Sequence, residues 1–304
     1  MGRENYPKLR VIPKNQIHSP WSIGFKGWKK SILGVNDQIT QNNTSIISAG
    51  VAFYAFLAIF PAMVALISIY GLAINPQQLQ AQLEQLARMM PREAYEILEG
   101  RITNLMETSN NSLSWSTLIG IVIALWSANK GTKSLFTGVD MAYDTENSRG
   151  FIKQNALTLL FTLGSIVLLI LSMTLIVGFP AFVQQFDLPD QLETIIGWSR
   201  WLLLALVAVF FVSVLYKTAP FRPMPRNKWV LPGAIIATFL WLIASWGFSF
   251  YVSNFGSYGE VYGSISAVVV LLMWLYLTSF IIILGAELNS EIEKYADNPD
   301  QEKD

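Results

Sequence analysis

The chain has no cysteine and one histidine, His18, among 304 residues. The first absence excludes disulfides, thiolate metal sites, cysteine nucleophiles and S-acylation, and it leaves the redox compartment unmarked. The second excludes multi-histidine metal centres, and any Ser–His–Asp arrangement would have to use His18, which sits in the polar N-terminal segment. There is no Walker A sequence and no Gly-x-Ser-x-Gly elbow. These gaps point to a protein that is not an enzyme and carries no cofactor, although carboxylate-bound Mg²⁺ stays open. Charge is also scarce: 14% of residues are Asp, Glu, Lys or Arg, against about 25% in soluble domains. The first 45 residues lack the apolar core and small-residue cleavage site of a signal peptide. The first true span is therefore expected to serve as the insertion signal.

What the chain has is apolar length. Between Trp229 and Asn289 lie two runs, Pro232–Val252 and Ser264–Ala286, separated by a short Gly- and Tyr-rich connector. A helix needs about 20 mostly apolar residues to cross a bilayer, and both runs reach that length. The pattern predicts an all-α polytopic membrane protein. Six spans are expected at about 45–74, 113–128, 156–182, 198–216, 232–252 and 264–286, within one membrane domain over residues 20–295. Residues 1–19 and 296–304 read as tails, and the polar stretch from Ser290 as frayed.

Before the first span, Trp21, Phe25, Trp28 and Ile32 recur at helical spacing with Lys26, Lys29 and Lys30 between them. That is an amphipathic helix, suited to the membrane interface or to packing on the ends of the spans. In the first span, Pro61 removes a backbone donor and predicts a kink. Residues 75–112 are polar and read as a helical hairpin, with Pro91 opening its second segment. The second span is short, and its helical pattern runs on to Tyr143. The connector 183–197 is short and acidic, and residues 217–228 form a basic, Pro-rich turn.

Orientation follows from the loops. Seventeen of the 21 Lys and Arg residues fall in 1–44, 129–153, 217–228 and the C-terminal tail, whereas Arg88, Arg92, Arg101 and Arg200 fall on the other side. The positive-inside rule then places both termini in the cytoplasm of a bacterial inner membrane, with the hairpin outside. The same rule accounts for the basic residues without nucleic acid, and membrane lipids are the expected partners.

Charged and polar groups near membrane depth are the candidate cavity or gate. They are Tyr54, Pro61, Lys130, Lys133, Asp140, Tyr258, Glu260, Tyr262, Glu287 and Asn289. Glu287 follows a run without charge and is expected to find a cation, with Lys130, Lys133 and Lys217 on the same side. An ion pair locking the last span suits its interfacial position, and a gate is the other reading. Lys133 and Asp140 are seven apart and share a helix face, which suits a solvated helix end near anionic lipid heads. In Asn254–Gly263, Tyr258, Glu260 and Tyr262 belong either to a tight outer turn or to a loop lining a cavity. Pro61 could also open carbonyls to a substrate path.

Several stretches carry a resemblance: AGVAFYAFLAIFPAMVALIS (49–68), LWSANKGTKSLFTGVDMAYD (125–144), and the run from LYKTAPF through PGA and SYGEVYG to GAELN (215–289). In these, over about residues 20–295, the chain resembles the YihY/virulence factor BrkB family, once labelled "ribonuclease BN-like". The resemblance implies a six-helix inner-membrane protein with envelope or virulence links. It supplies no catalytic residues. A zinc-dependent nuclease would need ligands that one histidine does not supply. Where the family pattern places an arginine in the segment matching Asn129–Thr132, this chain has Lys130. The expected function is transport or flipping of a lipid-like or other small amphiphilic solute. The alternative is a non-transporting envelope scaffold, and a membrane nuclease is the third, disfavoured reading.

Overall fold

The computed structural model describes residues 19–73, 115–145, 148–179, 189–223, 225, 227–254 and 264–297. Among them every regular element is helical. A 3₁₀ turn, Pro20–Ser22, leads into α1 (Gly24–Gln41). Then come α2 (Thr44–Ala73), α3 (Trp115–Ala142), α4 (Phe151–Met173), α5 (Asp190–Thr218), α6 (Asn227–Asn254) and α7 (Ser264–Asp297). A π-helical turn, Thr174–Gly178, follows α4 directly. Among the described residues four segments are long and apolar enough to cross a membrane: Phe151–Ile176, Gly197–Thr218, Asn227–Ser253 and Ser266–Asp297. The number becomes five if α1 and α2, bent by 66°, count as one span.

The apolar runs mark the middles of these helices well and their ends less well. Three boundaries differ from the sequence expectation. First, α5 begins at Asp190, inside the connector expected over 183–197. Pro189, at the N-cap with φ −57°, presets the entry. Second, α6 begins at Asn227, a turn and a half before Pro232, so that proline sits inside the helix. Third, α7 runs to Asp297 instead of fraying from Ser290. Ile292 and Ala296 on this extension are buried, and Ile292 packs with Val35 of α1 and with Ile23 just before it. The α2 backbone is helical through Pro61, while the hairpin expected over 75–112 and the Tyr258–Tyr262 loop lie outside the described residues.

Helix α7 is central, packing against α6, α2, α1 and α3, while α2 lies along α3, α4 against α3 and α5 against α6. The packed core gathers at one end. Phe136, Val139 and Ala142 of α3 meet Phe161 of α4, Leu215 and Tyr216 of α5, Val230 and Ala234 of α6 and Ala286 of α7. Away from that end the helices turn large apolar side chains outward: Val122 is 64% exposed, Leu160 68%, Phe210 69% and Trp246 74%. Water would not tolerate such a surface over several adjacent helices, and lipid does.

On α1, the expectation of an interfacial helix and that of a helix packed on the spans both describe part of the surface. Gly27, Ser31 and Val35 form a buried line toward α7. A Cβ on Gly27 would lie 2.7 Å from the Tyr295 ring. Phe25 and Ile32 point out, 84% and 59% exposed.

Candidate functional site

The core end of the bundle also holds the buried polar groups. Glu287 is fully buried, and its partners come from the corner between α1 and α2. Asn42 Nδ2 donates to both carboxylate oxygens, at 3.1 and 3.3 Å, and Thr44 Oγ1 donates to Oε1 at 3.0 Å. Asn42 also lies 3.3 Å from the Met141 carbonyl and 3.0 Å from Gln38 Oε1. The corner is tight: Asn43 takes φ +51°, a conformation that asparagine adopts more readily than most residues. The cationic partner expected for Glu287 is therefore replaced by neutral donors, and among the described residues Glu287 makes no ion pair. The reason is geometric. Residues 42–44, at the sharp bend, reach the α7 carboxylate, while Lys217 bonds Asn227 Oδ1 at 2.9 Å and Lys130 lies over the Trp126 ring.

Asn289, two residues on, is also fully buried. Its Oδ1 accepts the Gly233 N–H at 2.7 Å, and its Nδ2 donates to the Val230 carbonyl at 2.9 Å. These groups flank Pro232, which has no N–H to give the helix ladder. The crossing is close because Gly233 and Gly285 face each other: a Cβ on either would run into the other's carbonyl oxygen. Tyr216 reaches the same crossing and donates its hydroxyl to the Ile282 carbonyl at 2.6 Å. The Pro-Gly-Ala, Gly-Ala-Glu-Leu-Asn and Tyr-x-x-Ala-Pro stretches thus form one node.

Asp140 is buried at the end of α3 and accepts from the Phe221 N–H at 3.1 Å and Thr145 Oγ1 at 3.2 Å. It does not share a solvated face with Lys133 as the seven-residue spacing suggests, because the turn after α5 folds over it. Arg149 grips the same turn, donating to the carbonyls of Thr218, Ala219 and Pro220 at 2.9, 2.7 and 3.0 Å. A cation there also suits the negative end of the α5 dipole. Arg222 pairs with Glu293 through Nη1 and Nη2 of its guanidinium and stacks on the Tyr143 ring, 3.9 Å from its centroid. Burial, aided by the Glu293 charge, pushes the Tyr143 hydroxyl well above the usual tyrosine range. Lys294 closes the layer on Asp144 at 2.9 Å and Glu291 at 3.0 Å.

The candidates read from sequence separate into groups. Glu287, Asn289 and Asp140 come together in this layer. Lys130 and Lys133 sit on α3, and Tyr54 packs beside Gly131. Sequence reasoning missed Asn42, Thr44, Tyr216, Arg149, Arg222 and Glu293. In sequence Arg149 and Arg222 are only loop charges, and nothing local marks Asn42 as a ligand for a side chain 245 positions away. Among the described residues no three His, Cys, Asp or Glu side chains gather as a metal site.

Fold and site together define an all-helical integral membrane protein whose buried polar groups lie at one end of the bundle. The family model for virulence factor BrkB matches residues 35–304, and the chain belongs to the BrkB family. It is 31% identical over 263 residues to the ribonuclease-like protein YfkH of Bacillus subtilis, covering 84% of this chain and 92% of that protein. It is 39% identical over 99 residues to the UPF0761 membrane protein XAC0937 of Xanthomonas axonopodis pv. citri, covering 32% of this chain and 23% of that longer protein. No solved structure matches.

Proposed function

We propose that the protein moves a lipid-like or other small amphiphilic solute across the bacterial inner membrane, without catalysis and with Glu287 as part of a gate. In this reading α2 and α3 complete six spans, both termini are cytoplasmic and residues 75–112 form the outer hairpin. The supporting observation is the fully buried Glu287 carboxylate at the meeting of α1, α2, α3 and α7, held by Asn42 and Thr44. A carboxylate at a span end that is structural is expected to be neutralised by a cation. Held instead by neutral amide and hydroxyl donors, it can exchange partners as the α1–α2 corner moves. The ribonuclease-like name of YfkH belongs to that relative. Here, activity on RNA would have to be carried by residues other than a histidine cluster.

The test is reconstitution of the full chain into vesicles with fluorescent short-chain phospholipids in both leaflets, followed by bleaching of the outer leaflet. Loss of signal beyond half, faster than in protein-free vesicles and slowed in Glu287→Leu, is the expected result. Rates equal to protein-free vesicles for every lipid tried would refute transport of these lipids. A second reading, an envelope scaffold, rests on the outward Phe25 and Ile32 of α1 beside Lys26 and Lys29. It gains ground if Phe25→Ser/Ile32→Ser impairs envelope integrity while no lipid moves in vesicles.

A further inference from the structure

We propose that Lys130 and Lys133 form a membrane-depth station for the anionic head group of a lipid, whose acyl chains lie along the outward stripe of α3. The proposal rests on the transport reading and names its substrate class. Ile119, Val122, Trp126, Lys130, Lys133 and Thr137 follow one another at steps of three and four, so they share one face of α3. Ile119, Val122, Trp126 and Thr137 on that face are exposed, and Lys130 and Lys133 between them are half-buried. Gly131 and Gly138, on the opposite side, pack against Tyr54 of α2 and Ile283 of α7, and Phe136 packs against Phe161 of α4. Ile119, Val122 and Trp126 are 56%, 64% and 63% exposed. An apolar stripe therefore ends in two ammonium groups.

Their depth sets them apart from ordinary interfacial lysines. A Cβ on Gly138 would lie 2.6 Å from Ile283, which fixes the level of α3 against α7. Counting back at equal rise puts Lys133 level with Thr278 and Lys130 level with Leu275, inside the stretch 264–286 of α7 that carries no charge. Lys133 is about 10 Å and Lys130 about 15 Å along the helix from Asp140 in the polar layer. Lys130 does not snorkel toward that layer. Its Nζ lies over the ring of Trp126, 5.2 Å from the centroid, on the side away from Asp140. Among the described residues neither lysine pairs with a carboxylate. An ammonium at this depth calls for a counter-charge. The apolar stripe beside it selects a lipid phosphate or carboxylate over a free one, since only an amphiphile covers both.

The experiment compares labelled phosphatidylglycerol with labelled phosphatidylcholine in vesicles holding the full chain. The wild type is expected to move the anionic lipid about tenfold faster, the worth of one charge-assisted contact. Lys130→Gln/Lys133→Gln should bring that rate down to the phosphatidylcholine rate, and Lys130→Arg/Lys133→Arg should restore it. Equal rates in the wild type overturn the head-group site while leaving transport standing, as does a preference that survives in the glutamine variant. If neither lipid moves, transport falls, and native mass spectrometry of purified protein decides the site. Phosphatidylglycerol retained over phosphatidylcholine by wild type but not by the glutamine variant supports it, and equal retention overturns it.

Discussion

Substituting Gly285 with alanine tests the node that joins α5, α6 and α7. A Cβ at residue 285 would run into the Tyr216 hydroxyl and would lie 2.8 Å from both Ala237 Cβ and the Gly233 carbonyl oxygen. One of these neighbours is backbone and cannot swing aside, so the helices must part. Overpacking of this kind costs about 1–3 kcal/mol. Parting also strains the Tyr216–Ile282 bond and the two bonds of Asn289, each worth about 1 kcal/mol. The expected loss is about 3–4 kcal/mol, read as a lower midpoint in thermal or denaturant unfolding of the purified protein in detergent. Gly247→Ala and Gly50→Ala are the matched controls, because a Cβ at either meets nothing within 4 Å. Removing helix glycines there should leave stability unchanged or raise it by up to about 1 kcal/mol. A Gly285→Ala protein as stable as Gly247→Ala would refute the close crossing.

Substitutions at three further positions probe the polar layer. Asn289→Leu leaves groups flanking Pro232 without their side-chain partner and should cost about 2–4 kcal/mol in the same unfolding assay. Arg149→Ala uncovers three carbonyls at the end of α5 and should cost about 3 kcal/mol; lysine should recover less than half, since it lacks the planar fork. Glu287→Gln keeps an oxygen for Asn42 and Thr44 and should stay within about 1 kcal/mol of wild type, whereas Glu287→Leu strands both donors and should cost about 2–3 kcal/mol. Equal effects of the two would show that the neutral donors are not what holds the carboxylate.

The helical, membrane-crossing class was legible because a charge-free run such as 264–286 is too long and too apolar to face water on any side. Helix ends were less legible. Ser290–Asp297 reads as a polar tail, and it is helical because Ile292 and Ala296 are buried and Arg222 and Asp144 supply partners for Glu293 and Lys294. Those partners arrive from distant turns, which composition does not encode. Glu287 stood out as the charge closing an apolar run, and Asn289 as part of a motif. Their partners did not, because the fold selects them. The lysines nearest in the expected layout went elsewhere, and an asparagine at a helix corner took the place of a cation. The same limit hid the role of Gly233, whose value lies in what stands across from it.

The central place of α7 has a consequence for biogenesis. Asn42, Thr44, Tyr216 and Arg222 belong to segments made earlier, and each finds a partner between Ile282 and Glu293. During translation these groups wait in incomplete helical bundles. Insertion of α7, which follows all of them in the chain, completes these bonds together, so α7 acts as a keystone. Chains cut short before it would present stranded polar groups together, a signature that membrane proteases can read.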